Sequence, residues 1–178
     1  MIAAVCGRQR TGTSALMKAL NSGGLPMLID PIACKRQWEI VDAMRRERNL
    51  PSVCEIEKGS PTETGDVLTS LFVNRPHLIE DPEIWVAVKF VGAEMRLIDL
   101  LPLDRSIVIG TTRDEESRKR SEIELFGDTL PEFSKPNRIS DITVEFHRLL
   151  TTPLAVMKEI SDRVPIDPVK AAGAIIVR

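Results

Sequence analysis

The sequence contains no tyrosine, only two histidines and three cysteines among its 178 residues. The cysteines, at positions 6, 34 and 54, are odd in number and widely spaced, which excludes a disulfide framework and a zinc knuckle. No apolar run reaches the length that crosses a bilayer, and the first residues lack the basic region and long apolar stretch of a signal peptide. We therefore expect a cytoplasmic protein with reduced thiols and no membrane partner.

A basic excess is missing as well. The formal net charge is −2, whereas binding to a nucleic-acid backbone normally requires a strongly positive patch. We expect no nucleic-acid partner, and any anion site must be local. Apolar residues at 43% and charged residues at 28% are ordinary globular values, and the length suits one domain spanning residues 1–178.

Apolar runs typical of strands alternate with helical patterns along the first two thirds of the chain. Strands are predicted at Ile2–Cys6, Ile84–Phe90 and Ser106–Thr112. Helices are predicted at Thr13–Leu20, at Lys35–Arg48, from Ser60 to about Val73, over the segment GAEMRLIDLL that begins at Gly92, and after Arg113. This alternation is typical of a parallel sheet with helical crossovers.

The C-terminal region is predicted to be largely helical. Ile139–Arg163 has helical apolar spacing that Pro153 kinks or divides, and Asp167-Pro168 is a cap and first-position pair that opens a last short helix. The apolar tail AIIV fits a final strand as an alternative. The whole pattern predicts a three-layer α/β fold of the P-loop type, with a central parallel sheet flanked by helices.

The stretch GRQRTGTS, residues 7–14, lies between the first strand and the first helix. A glycine-rich turn at that place points backbone N–H groups at one spot, and the helix dipole favours an anion there. Gly7 and Gly12 have P-loop spacing, but Thr13 replaces the lysine that reaches the β- and γ-phosphates. Ser14 keeps the hydroxyl, and Arg10 offers a positive charge from a different angle. The stretch predicts a site for a ligand without a β,γ-phosphate chain; the alternative is a tight turn that binds nothing.

The segment GRQRTGTSALMKAL resembles the opening of sulfotransferases, whose loop has the form G-x-P-[RK]-[ST]-G-[TS]-[TS] before a helix. That family binds 3′-phosphoadenosine 5′-phosphosulfate and holds the 5′-phosphosulfate in this loop without a metal. The resemblance implies a donor site made of Gly7, Arg8, Arg10, Thr11, Gly12, Thr13 and Ser14. Gln9 departs from the family's proline, which loosens the turn without removing a donor.

A second motif agrees with this resemblance. In the family, an arginine at the end of a later strand and a serine eight residues on bind the 3′-phosphate of the donor. Here TTRDEESRKRS places Arg113 directly after an apolar strand and Ser121 eight residues later, so the resemblance implies that both contact the 3′-phosphate. The cations at positions 118–120 are instead expected to pair with nearby carboxylates on a solvated helix.

A third match concerns charge stabilisation. WVAVKF is similar to a family strand that ends in a lysine near the sulfuryl group. Lys89 and Arg10 are thereby implied to stabilise charge in the transition state, although a lysine at a strand end also serves solubility.

The general base is not fixed by any motif. The family's histidine after the strand lysine is absent, since Phe90 follows Lys89. Glu55 is the candidate base, with Glu57 and His77 as alternatives, and His147 is expected to be a packing residue on a helix.

The resemblance covers residues 3–121 and implies sulfuryl transfer from 3′-phosphoadenosine 5′-phosphosulfate to a hydroxyl or amine of a small-molecule or peptide acceptor. Two alternatives stay open. One is a small P-loop kinase or other nucleoside-triphosphate enzyme, and the other is a non-catalytic nucleotide-binding homologue.

Overall fold

The computed structural model describes residues 1–28, 81–130 and 135–175 of the chain. The helices predicted at 35–48 and from residue 60 onward lie outside these ranges, as do Glu55, Glu57 and His77. Within the described ranges, no helix combines the length and apolar character that crossing a membrane requires.

A five-stranded parallel sheet forms the centre of the described structure. Its strands are β1 (Ile2–Gly7), β2 (Met27–Leu28), β3 (Val86–Val91), β4 (Ser106–Thr112) and β5 (Ile142–Glu145), in the order β2-β3-β1-β4-β5. Every residue of the central strand β1 is buried, because its neighbours and both sheet faces cover it. Such burial explains why this strand reads as a continuous apolar run, and it confirms the predicted parallel sheet.

Helices cover the sheet. They are α1 (Thr13–Ser22), a 3₁₀ helix (Gly92–Leu100), α2 (Glu115–Phe126), α3 (Phe146–Thr151), α4 (Pro153–Ser161) and α5 (Pro168–Gly173). Leu16 of α1 and Met157 of α4 pack with Val5 of β1 in one hydrophobic core. Ala4 and Val88 alternate along their strands with the residues of that core, so their side chains point to the opposite face of the sheet. Both are fully buried, which shows that this second face is covered too. The fold is therefore three-layer α/β, as predicted.

The C-terminal region differs from the prediction at its start. Ile142–Glu145 is not helical but forms β5, which pairs in parallel with β4. Its β-branched residues suit a strand, and the open edge of β4 supplies the backbone partners that local periodicity does not reveal. The predicted break at Pro153 is confirmed, because α3 ends before it and Pro153 occupies the first turn of α4.

Helix α5 begins as predicted, whereas the segment after Val91 differs from its prediction. Asp167 caps α5 by accepting from the backbone N–H groups of Val169 and Lys170, as the Asp-Pro pair predicts. The segment after Val91 is a 3₁₀ helix rather than an α-helix, which is a tighter coil that apolar spacing alone does not distinguish.

Candidate functional site

The loop of residues 8–12 lies at the carboxyl end of the sheet, between β1 and α1. Gly7 at the end of β1 is level with Val91 of β3 and Thr111 of β4. The end of β4 leads directly through Arg113 to α2. Since ligands of parallel α/β sheets bind beyond the carboxyl ends of the strands, this edge is the candidate site.

The loop backbone turns through two left-handed residues. Gly12, with φ of 96°, precedes α1 at its N-cap position, and Arg10 has φ of 66°. Arg10 is the only non-glycine residue with positive φ in the described ranges. For a residue with a Cβ this conformation costs about 1–2 kcal/mol. The strain lies at the apex of the loop that was predicted to bind phosphate, where strained backbone often accompanies function.

The N-terminus of α1 faces this loop. No described side chain caps it, and its first turn contains no acidic residue. The first N–H groups of a helix have no partner within the helix, and its dipole favours negative charge at that end. Thr13 is buried and Ser14 is exposed on this first turn. The arrangement suits an anion held by backbone N–H groups and the Ser14 hydroxyl.

Two buried hydroxyl groups tie the loop to the sheet. Thr11 Oγ1 donates to the carbonyl oxygen of Arg8 at 2.6 Å and lies 2.7 Å from Thr111 Oγ1. Thr111 Oγ1 is also 3.2 Å from the carbonyl oxygen of Cys6, to which it donates. The family resemblance implies that Thr11 binds the ligand, and no sequence motif singles out Thr111. Both hydroxyls hold the loop in place, and the binding role of Thr11 stays a prediction.

The predicted 3′-phosphate residues lie against the loop. Nε of Arg10 donates to Oγ of Ser121 at 3.0 Å, and Nη1 of Arg113 donates to the carbonyl oxygen of Arg10 at 3.3 Å. Ser121 is buried, Arg113 is half-buried and Arg10 is exposed. Arg10 thus contacts Ser121 through its guanidinium and Arg113 through its backbone carbonyl, although it is more than 100 residues away from both in the chain.

Helix α2 presents a polar face to the protein interior. Arg118 and Glu122, which are only 3% and 1% exposed, form an ion pair, and the N–H of Leu130 donates to Glu122 Oε2 at 3.2 Å. The prediction of a solvated helix is therefore wrong for this pair, because burial of the helix face is set by tertiary packing. The same prediction is confirmed for Lys119, which pairs with Glu115 at 2.8 Å on the exposed side of α2. The buried pair fixes the face of α2 that carries Ser121.

The start of α2 is capped by the residue next to Arg113. Asp114 Oδ1 accepts from the backbone N–H of Ser117 at 2.9 Å. This backbone hydrogen bond, together with one from the Ser117 side chain and the charge of Arg113, lowers the pKa of the Asp114 carboxyl from its ordinary value. The cap sets the direction in which α2 leaves the strand and so places Ser121.

Phe146, at the start of α3, belongs to the candidate site although no sequence motif points to it. Its ring centroid is 4.7 Å from Cζ of Arg113, and a Cβ built on Gly12 would lie 2.5 Å from Cδ2 of the same ring. In the sequence, Phe146 is only one of several apolar residues with helical spacing in a predicted helix. Phe146 contacts both predicted phosphate-binding segments.

A cavity of about 550 Å³ opens beside Arg113. It is lined by Thr112, Arg113, Asp114, Ser117, Glu145, Phe146, His147 and Leu150. His147 is exposed and faces this cavity, so its predicted role as a packing residue is wrong. The cavity offers room for a neutral part of a ligand next to Arg113, one of the residues predicted to bind phosphate.

Lys89 lies within β3 rather than at its end. The strand continues to Val91, and Lys89 is level with Val5 in the middle of β1. It is half-buried and points to the sheet face that α1 covers, because registered residues of parallel strands share a face. The structure thus places Lys89 below the loop, two positions before the strand end.

Comparison with known proteins gives a fold likeness of low similarity. No family model matches the chain, and no curated protein matches it. A sugar kinase from Janibacter sp. is 13% identical with a TM-score of 0.48, over 95% of this chain and 96% of the other. TT1252 from Thermus thermophilus is 14% identical with a TM-score of 0.34, over 98% and 93% of the two chains.

Proposed function

We propose that this chain is a sulfotransferase-like protein that binds 3′-phosphoadenosine 5′-phosphosulfate and transfers its sulfuryl group to a hydroxyl or amine of a small-molecule or peptide acceptor. The proposal is carried by the two hydrogen bonds of Arg10, one to Ser121 and one from Arg113. These residues belong to two motifs whose spacing resembles that family, and they meet in space at the carboxyl edge of the sheet.

The N-terminus of α1 and the neighbouring Arg113 and Ser121 offer different binding groups, and this difference suits 3′-phosphoadenosine 5′-phosphosulfate. At the N-terminus of α1 the donors are backbone N–H groups and Ser14, with no lysine at position 13. Beside it, Arg113 and Ser121 supply a guanidinium fork and a hydroxyl, which match a phosphate monoester. A ligand with one phosphoryl group at 5′ and one at 3′ uses both places, whereas a linear triphosphate uses only the first.

The reaction would proceed by attack of an acceptor oxygen or nitrogen on sulfur, in line with the bridging oxygen. A bond from the acceptor atom to sulfur forms, the bond from sulfur to the bridging oxygen breaks, and adenosine 3′,5′-bisphosphate leaves with that electron pair. Arg10 and Lys89 are the cations proposed to stabilise the charge that develops on the oxygens. Glu55, outside the described residues, is the proposed acceptor of the proton that the nucleophile loses.

A small P-loop kinase is the alternative function. The loop between β1 and α1 and the parallel sheet suit a nucleotide in either case. A kinase would hold ATP together with Mg²⁺, and the usual loop lysine would contact the β- and γ-phosphates. Thr13 at that position favours the sulfuryl donor over ATP.

Ligand-induced stabilisation separates the two functions. Adenosine 3′,5′-bisphosphate without metal should raise the melting temperature of the protein, and ATP with Mg²⁺ at the same concentration should not. At a ligand concentration of 100 times Kd the expected stabilisation is about 2.7 kcal/mol. Arg10→Ala and Arg113→Ala should reduce the shift to about half or less, because a ten-fold weaker Kd leaves about 1.4 kcal/mol of stabilisation at the same ligand concentration.

The matched control is Arg120→Ala, which removes the same charge from an exposed position of α2. It should leave the shift unchanged. The absence of any shift at millimolar adenosine 3′,5′-bisphosphate would refute the proposal, and a shift that appears only with ATP and Mg²⁺ would establish the kinase alternative. Binding without sulfuryl transfer to any acceptor in a broad screen would identify a non-catalytic homologue.

A further inference from the structure

Phe146 lies between the two segments that the proposed function assigns to phosphate groups. On one side its ring faces the guanidinium of Arg113, at 4.7 Å from ring centroid to Cζ. On the other it is so near to Gly12 that a methyl group on Gly12 would come within 2.5 Å of Cδ2. The ring therefore fixes how far Arg113 stands from the start of α1.

Arg113 depends on such a support. Its hydrogen bond to the carbonyl oxygen of Arg10 is 3.3 Å long, which exceeds the usual length of 2.9–3.0 Å for an N–H···O bond. An arginine side chain has about 2 kcal/mol of rotamer entropy to lose when it is held in one geometry. Stacking on a ring restrains the guanidinium through its face and uses none of its five N–H donors. Apart from the Nη1 donor that reaches the Arg10 carbonyl oxygen, its N–H groups are left for a phosphate.

We propose that Phe146 is a positioning residue that makes the site selective for nucleotides carrying a 3′-phosphate. It does so by holding Arg113 at a fixed separation from the loop that binds the 5′-phosphoryl group. This inference rests on the proposed function and extends it, because it concerns which nucleotides the same site accepts.

Selectivity follows from where the ring acts. Adenosine 3′,5′-bisphosphate and AMP share the base, the ribose and the 5′-phosphate, and differ in the 3′-phosphate alone. A change that loosens Arg113 weakens binding of the bisphosphate and leaves AMP almost unaffected. A change that damages the loop weakens both ligands, since both use it.

Calorimetric titration of the full chain with both nucleotides tests the proposal. Phe146→Leu keeps an apolar side chain but removes the ring face, and it should weaken binding of adenosine 3′,5′-bisphosphate about five-fold and of AMP less than about two-fold. Phe146→Tyr keeps the ring and should bind both nucleotides as the native protein does. Melting temperatures measured without ligand verify that each variant is folded.

A double variant and a cavity control complete the design. In the Arg113→Gln background, Phe146→Leu should cause no further loss of bisphosphate affinity, because the ring acts through Arg113. Leu150→Ala changes the lining of the same cavity one turn further along α3 and should preserve the ratio of the two affinities.

The outcomes separate the two proposals. If the native protein binds no adenosine 3′,5′-bisphosphate, the proposed function falls and the selectivity falls with it. If it binds but Phe146→Leu weakens both nucleotides equally, or weakens neither, the positioning role alone is overturned. Continued loss in the Arg113→Gln background would likewise overturn it.

Discussion

Nε of Arg10 donates a hydrogen bond to Oγ of Ser121 over 3.0 Å, and the two residues are 111 positions apart in the chain. Arg10 stands at the apex of the loop after β1, and Ser121 stands on the buried face of α2. The bond therefore connects the place proposed for a 5′-phosphoryl group with the place proposed for a 3′-phosphate. A ligand that occupies both places would contact two groups that already contact each other.

Arg10 and Ser121 should act together in nucleotide binding. Each of Arg10→Ala and Ser121→Ala is expected to weaken binding of adenosine 3′,5′-bisphosphate by about 10-fold or more, because each removes a hydrogen bond to a charged group. The double variant should lose less than the product of the two factors, since both changes disrupt one connected set of bonds. Calorimetric titration of the four proteins measures this coupling. Losses that simply multiply would show that Arg10 and Ser121 act independently. Ser121→Ala combined with Arg120→Ala is the control pair, and its two effects are expected to multiply.

The left-handed backbone of Arg10 predicts an unusual order of stabilities. Arg10→Gly and Arg10→Ala both remove the guanidinium, but only glycine adopts a φ of 66° without steric cost. We expect the glycine variant to be more stable than the alanine variant by about 1 kcal/mol in its free energy of unfolding. Urea denaturation of both variants checks this difference. A more stable alanine variant would contradict the loop geometry.

The parts of the site that the sequence predicts are those with local signals. A short apolar run, two spaced glycines and a helical pattern predict β1, the loop and α1, since turn chemistry and helix start depend on neighbouring residues. The positions of Arg113 after β4 and of Ser121 on α2 follow from such local patterns, whereas their assignment to one site came from the family resemblance. The cap at Asp167 belongs to this class as well.

The missed parts depend on contacts between distant segments. Strand β5 forms because β4 offers it an edge, and no pattern within Ile142–Glu145 reports that edge. Phe146 is a site residue only because β5 delivers it next to Arg113. The burial of Arg118 and the position of Lys89 inside β3 are likewise set by packing and strand register, which a single sequence does not contain.

Gly7 is expected to tolerate no side chain. A Cβ at this position would lie 2.2 Å from Thr111 Oγ1, 2.6 Å from Thr11 Oγ1 and 2.9 Å from the Thr111 carbonyl oxygen. Because the last contact is with backbone and the hydroxyls are hydrogen-bonded, Gly7→Ala should lower the free energy of unfolding by about 2–3 kcal/mol. Gly173→Ala is the matched control, since no atom lies within 4 Å of its added methyl group. It should be neutral or stabilising, and equal effects of the two changes would contradict the tight packing at Gly7.

Thr111 should contribute to stability through its hydroxyl. Thr111→Val keeps the shape of the side chain but leaves Thr11 Oγ1 and the carbonyl oxygen of Cys6 without this buried partner. The expected loss is about 1–3 kcal/mol of unfolding free energy, and the affinity for adenosine 3′,5′-bisphosphate should fall as the loop loosens. Thr143→Val, at an exposed position of β5 outside the cavity lining, should change neither quantity by a measurable amount. A stable Thr111→Val variant would show that the hydroxyl pair does not hold the loop.

Asp114 predicts a specific response to acid. Its folded-state pKa is lowered, first by the hydrogen bond from the Ser117 backbone N–H, so the carboxylate is stabilised in the folded protein. The contribution of this group is present above its ordinary pKa of 3.8 and is lost as the pH falls through the lower folded value. Asp114→Asn keeps a good cap without a titrating group. Its melting temperature should lie slightly below that of the native protein at pH 7, because the stabilising charge is gone, and should fall less when the pH is lowered to about 3. Asp162→Asn, an exposed change beside the end of α4, serves as the charge control. An Asp114→Asn variant that loses as much melting temperature on acidification as the native protein would show that this cap does not couple α2 to pH.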